Sequence, residues 1–189
     1  MTVRWVSAQK ALSMPVPTTD SRPKAVLTIT MSSFPSARVV GAVSRLVSEF
    51  CYSLVDDPDI VARFHMAAQE LAENLAKYSS GPDVSISAEL LGSDTSAVLR
   101  LMARNRGTPE QLRDVECRLR EIQSAEDPVE LYDRLIREVA PLDDVSGLGL
   151  IRIRAEGGLN VDYAIEGNEL TISVHSSVAP QKGRLQCRQ

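Results

Sequence analysis

The chain has 189 residues, 43% of them hydrophobic, and a formal net charge of −4. That length supports one well-packed domain with little left for a second, and an acidic balance without a basic face excludes ordinary nucleic-acid binding. No apolar run approaches the ~20 residues that a membrane span needs, and the N-terminal stretch lacks the continuous apolar segment of a signal peptide.

Residues 1–23 are rich in Pro, Ser and Thr and read as a loosely ordered N-terminal segment. "KAVLTITMSS" is compact and β-branched, which predicts a first strand. From about Ser36, Val40, Val43, Leu46, Val47 and Phe50 recur at helical spacing. A second helix is predicted from Pro58 to Tyr78, with Phe64, Ala67, Ala68, Leu71 and Leu75 along its apolar stripe. "GPD" breaks it, and "VSISAELL" and "SAVLRLMARN" form a hairpin about "GSD". Two capped helices follow: Thr108 with Pro109 and Gln111, then Asp127 with Pro128 and Glu130. Leu112, Val115, Leu119 and Ile122 mark the buried face of one; Val129, Leu131 and Leu135 mark that of the other. "PLDDVSGLGLIRIRAEGG" is a loop entering another helix, and "LNVDYAIEGNELTISVHS" a closing hairpin turning at Gly167–Asn168. Residues 178–189 read as a flexible basic tail. The order predicts an α+β fold over residues 24–177, a two-layer sandwich of a mixed sheet with helices on one face.

Glu70 and Asn74 lie four residues apart, so they share a helix face at the edge of the apolar stripe. Half-buried polar groups there need partners. An asparagine carbonyl is a hard oxygen suited to Mg²⁺, and a carboxylate one turn earlier can accept a hydroxyl proton. The plainer alternative makes Glu70, Glu73, Asn74 and Lys77 a solvated flank. "SGLGL", residues 146–150, opens a helix after an acidic loop, and Gly147 and Gly149 let backbone N–H groups approach a phosphate. Glycines also sit at loop–helix junctions for steric reasons alone.

Other candidates carry less chemistry. Cys51, Cys117 and Cys187 are odd in number and widely spaced, which predicts reduced thiols in a cytoplasmic protein. Cys117, with no neighbouring histidine, is expected to be a buried inert thiol. His65 is expected to be packed or partly exposed, and Asp143 and Asp144 to face solvent.

Taken in order, "ENLAKYSSG", "VSISAELL", "VLRLMARNRG" and "SGLGLIRIR" resemble the ATP-binding domain of the histidine-kinase-like (GHKL) ATPases. That group includes gyrase B, Hsp90, sensor histidine kinases and anti-sigma-factor kinases. Glu70 and Asn74 match its N-box, and Lys77 and Tyr78 fall where histidine kinases often carry "KY". Arg104–Gly107 falls at the adenine-reading motif, and "SGLGL" at the later glycine box. The arrangement "DPVELYDRL … SGLGLIRI" is similar to the SiaB-type bacterial kinases, which resemble anti-sigma-factor serine kinases acting on small STAS-domain partners.

The resemblance implies a serine/threonine protein kinase using ATP and Mg²⁺. Glu70 would be the general base, Asn74 the metal ligand, and Lys77 a phosphate contact. Asn105 and Gly107 would contact adenine, while the backbone of Ser146, Gly147, Leu148, Gly149 and Leu150 would cradle phosphates. It also implies a STAS-domain protein or sigma factor as partner, and a homodimer. Three positions depart from the pattern. Asn105 replaces the adenine-binding aspartate, Pro109 the motif's second glycine, and Val145 a glycine of the later box. A neutral amide accepts a weaker hydrogen bond than a carboxylate, so weaker nucleotide binding is expected. The alternative is a catalytically inactive, kinase-like module that sequesters its partner.

Overall fold

Alternating burial along five strands and three-four burial along the helices build two layers. The structure, a computed structural model, describes residues 24–31, 37–80, 83–93, 96–139 and 148–179. The elements are β1 (Ala25–Met31), α1 (Ala37–Tyr52), α2 (Pro58–Tyr78), β2 (Val84–Gly92), β3 (Ala97–Arg106), α3 (Pro109–Ser124), α4 (Pro128–Val139), α5 (Gly149–Ala155), β4 (Asn160–Glu166) and β5 (Glu169–Val178). The N-terminal segment and almost all of the predicted tail lie outside the described residues.

The strand order is β1-β2-β3-β5-β4, and every neighbouring pair is antiparallel. The mixed sheet expected from the sequence is therefore corrected to a purely antiparallel one. Helix parity explains it. Two helices separate β1 from β2, returning the chain to the end where β1 finished, so β2 runs back alongside it. Three helices separate β3 from β4, which would make these two parallel if adjacent. β5 instead pairs with both and lies between them.

One sheet face carries the core. Ile86, Leu90, Leu99, Leu101 and Val174 are fully buried, and the register keeps them on the same side. Against it packs α2, through Phe64, Leu71 and Leu75. Each such side chain contributes roughly 1.5–3 kcal/mol on burial. Capping fixes where the helices begin. Asp57 accepts from the N–H of Asp59 and Ile60 ahead of α2. Thr108 and Gln111 form a reciprocal capping box on α3, and Asp127 accepts from the N–H of Val129 and Glu130 on α4.

Three burial expectations are corrected. Leu46 and Val129 are exposed, leaving Val40, Val43 and Val47 as the buried row of α1, and Leu131 and Leu135 that of α4. Cys117 is exposed, on a face of α3 that nothing covers among the described residues. Cys51 is the buried thiol, and burial pushes its pKa up to about 12.

Two glycines test this packing in opposite directions. Gly41 lies inside α1, where an added Cβ would meet only the Arg45 guanidinium at 3.7 Å. Gly41→Ala is predicted to raise stability by roughly 0.5–1 kcal/mol, because helix-interior glycine costs about that much in backbone entropy. Gly92 has φ +107°, and a Cβ there would strike the Ser96 carbonyl oxygen, so Gly92→Ala is predicted to destabilise. Urea midpoints of the two variants check both signs; a destabilised Gly41→Ala would show that this helix position is not free.

Candidate functional site

Because Leu71 and Leu75 face the sheet, their neighbours Glu70 and Asn74 come to the rim of the helix layer. There a cleft of about 340 Å³ opens between α2, the ends of β3 and β5, α3 and the start of α5. Of the residues singled out in the sequence, Asn74, Asn105, Gly107 and Leu150 line it, together with Tyr78. Most of its wall is apolar, including Leu71, Leu75, Leu112, Val115 and Leu170.

Asn105 sits at the end of β3 and is buried. Its Nδ2 donates to the backbone carbonyls of Tyr78 and Arg106, 3.5 and 3.4 Å away, leaving Oδ1 as an acceptor. The N–H of Gly107 donates to the Asn168 carbonyl at 3.0 Å, tying the β3 end to the β4–β5 turn. A Cβ on Gly107 would come within 3.1 Å of Leu112, so glycine lets α3 close on the strand end. Among the described residues the side chain of Asn74 makes no hydrogen bond, and Asn74 lines the cleft.

Glu70 stands one turn before Asn74, beside the cleft rather than in its wall. Its Oε1 accepts from Nη1 of Arg152 at 3.0 Å, and Nε of Arg152 donates to Glu156 at 2.7 Å. The Glu70 side chain is 16% exposed. Burial raises its pKa above the usual carboxylate range, while the Arg152 hydrogen bond opposes that rise. Glu73 adds to it, and the charges of Arg152 and Lys77 oppose it. Tyr132 of α4 completes the cluster; burial, then the Glu156 carboxylate, push its pKa up. Gly149 begins α5 against Glu70, where a Cβ would collide with the carboxylate. Leu148 precedes it, half-buried, and accepts from the Arg152 N–H.

The remaining predicted positions fall elsewhere. Lys77 lines a groove between α1 and α2 with Arg45, His65 and Glu73, away from the cleft, and reaches Glu70 through its charge alone. Ser146 and Gly147 lie outside the described residues. Sequence reasoning missed Arg152, and also Gln111, Asp114 and Arg118, which α3 presents to the cleft. The arginine of "GLGLIRIR" was visible, but not its partner 82 residues away. Among the described residues no helix is long and apolar enough to cross a membrane.

No protein-family model matches this chain, and no curated protein matches it. Among solved structures, it is similar to a chain in the crystal structure of the SiaB–SiaC complex from Pseudomonas aeruginosa. The TM-score is 0.53 at 11% identity, covering 80% of this chain and 89% of that one. The likeness shows a SiaB-like fold.

The raised pKa of Glu70 sets a pH dependence. Folding makes this carboxyl easier to protonate than in the unfolded chain, where it titrates near about 4.3. The folded state therefore binds more protons between the unfolded value and the raised one, and stability from this group falls as pH rises through that window. The prediction is that wild type loses stability relative to Glu70→Gln as pH rises above the unfolded value of about 4.3 and through the raised one. Denaturant titrations of both proteins across that range check it, and a constant difference would contradict burial as the dominant influence on Glu70.

Proposed function

We propose that this chain is a histidine-kinase-like ATPase domain working as an ATP-dependent serine/threonine protein kinase of the anti-sigma-factor type. Its substrate would be a STAS-domain partner in bacterial, cytoplasmic regulation. The observation that carries the reading is one cleft lined by Asn74, Asn105, Gly107 and Leu150, with Glu70 one turn away on the same helix.

The residues present fit the nucleotide and metal. The cleft volume lies within the range of roughly 300–1,000 Å³ typical of small-molecule sites, and its apolar wall suits a flat base. Oδ1 of buried Asn105 is an acceptor for an adenine amino group, and Gly107 keeps the strand end free of a side chain. The unpartnered amide of Asn74 offers one hard oxygen. Among the described residues no group of three or more His, Cys, Asp or Glu could hold a metal. A metal at Asn74 would thus take its other ligands from phosphate and water, the usual preference of Mg²⁺. When bound, Mg-ATP supplies the transferable phosphoryl group.

Within this reading the chain's own residues position and neutralise, which is most of what phosphoryl transfer requires. Glu70 would take the proton of the partner's hydroxyl as that oxygen attacks the terminal phosphorus and ADP leaves with the bridging oxygen. The backbone N–H groups of Leu148, Gly149 and Leu150 would serve phosphate, a role this reading extends to Ser146 and Gly147 from the sequence alone, and Lys77 adds positive charge behind α2. The fold shared with a protein solved in complex with SiaC supports a protein partner for this chain as well; a sigma factor and a homodimer belong to the same reading.

A second reading is a binding module without catalysis. Asn105 favours it, since an amide reads adenine without a carboxylate's charge, and so does the engagement of Glu70 by Arg152.

Calorimetric titration with ATP and Mg²⁺ separates the two. Asn74→Ala is predicted to abolish metal-dependent nucleotide binding with the fold intact by circular dichroism; undiminished affinity would remove Asn74 from the site. Glu70→Gln is predicted to keep binding and to lose transfer by a factor on the order of 10²–10⁴, the usual worth of a general base. No binding by wild type at millimolar nucleotide would leave the binding module as the function.

A further inference from the structure

We infer that Arg152 is the positioning residue for Glu70, holding one carboxylate oxygen and with it the orientation of the whole carboxylate. The inference rests on the kinase reading for its catalytic meaning and on geometry for its content.

Arg152 is braced before it reaches Glu70. Its Nε donates to Glu156 at 2.7 Å, one turn along the same chain segment, which fixes the plane of the guanidinium. Nη1 then projects to Oε1 of Glu70 at 3.0 Å. Gly149 bounds the carboxylate on the side of Oε2, where a larger residue would displace it. Arg154 anchors the same helix by donating to the Ile122 carbonyl of α3. Glu70 is thus oriented from two points of α5, and Oε2 has no hydrogen-bond partner among the described residues. Oε2 faces the end of "SGLGL", where the kinase reading puts phosphate.

A purely structural bridge explains the arrangement less well. Half-buried ion pairs seldom stabilise much, because desolvation offsets their attraction. Burial outweighs pairing at Glu70, whose pKa stays raised despite Arg152. The result is a carboxylate more basic than an ordinary one yet fixed in orientation, the combination a general base needs.

The charged groups acting on Glu70 are Arg152 of α5 and Glu73 and Lys77 of α2, while Glu156 braces Arg152 and Tyr132 of α4 feels the Glu70 charge. Removing Arg152 leaves burial and Glu73 opposed only by Lys77, so the Glu70 carboxyl should titrate at higher pH. Carbon-detected NMR of the side-chain carboxyls, assigned by Glu70→Gln, reads this in the full chain without any activity. Arg152→Gln is expected to move the Glu70 titration upward and Arg152→Lys to restore part of it. Glu156→Gln, which unbraces the guanidinium, is expected to move it in the same direction by less, and it serves if Arg152→Gln fails to fold. In the transfer assay, kcat of Arg152→Gln is expected to fall roughly 10- to 100-fold, the scale of a small misplacement, with KM for Mg-ATP unchanged and the acid limb of the pH profile displaced upward. A Glu70 titration unmoved in Arg152→Gln and Glu156→Gln, or a loss of stability with no such movement, would overturn the inference. Absence of nucleotide binding in wild type would instead overturn the kinase reading, while the carboxyl titration would still decide whether Arg152 holds Glu70.

Discussion

The rotation of α2 about its own axis is the constraint on which the site depends. Phe64, Leu71 and Leu75 can be buried only if that face of the helix meets the single apolar face of the sheet. Successive helical residues differ by about 100°. Fixing Leu71 and Leu75 therefore leaves Glu70 and Asn74 no choice but the rim. A rotation that sank them would bury a carboxylate and an amide; one that freed them would expose Leu71. The hydrophobic term thus sets the polar geometry, and the cleft forms where α3 and α5 meet the strand ends that α2 leaves uncovered.

Much of this was legible in the sequence because it is local. The bounds of α2 follow from Asp57–Pro58 at one end and the "SSG" break at the other. The capping box of α3 follows from Thr108 and Gln111, and the alternation in "VSISAELL" follows from the pleat. What failed was nonlocal. Strand direction depends on how many helices intervene and on which strand inserts between which, so a mixed sheet was expected where all pairings are antiparallel. Periodicity identified the inward stripes of α1 and α4 but not how far neighbours extend over them, hence the exposed Leu46 and Val129. For Cys117 the error was of the same kind: an amphipathic helix has an outer face, and the cysteine is on it. Arg152 was hidden because ion-pair partners 82 residues apart leave no periodic trace.

At the candidate site the motif residues divide by environment. Asn74 and Asn105 offer polar atoms to an apolar cleft, which gives orientation without much charge. Charge is gathered outside its wall, in the Glu70–Arg152–Glu156 cluster beneath Tyr132. Lys77 shows that sharing a helix is insufficient: three residues beyond Asn74, its side chain belongs to the α1 groove.

That division bears on the neutral residue at position 105. A carboxylate there would sit buried beside the backbone carbonyls of Tyr78 and Arg106, which now accept from the amide. Those carbonyls cannot donate, so an aspartate would lose both contacts and keep the desolvation penalty of a buried charge. Asparagine satisfies the strand end and retains one acceptor toward the cleft. Asparagine at 105 is therefore the residue its local structure asks for. Glu70 is set differently: its carboxylate packs against Gly149, and Arg152, braced by Glu156, holds it. A half-buried carboxylate held in this way carries a burial cost, which its raised pKa records and which the Arg152 hydrogen bond only partly offsets.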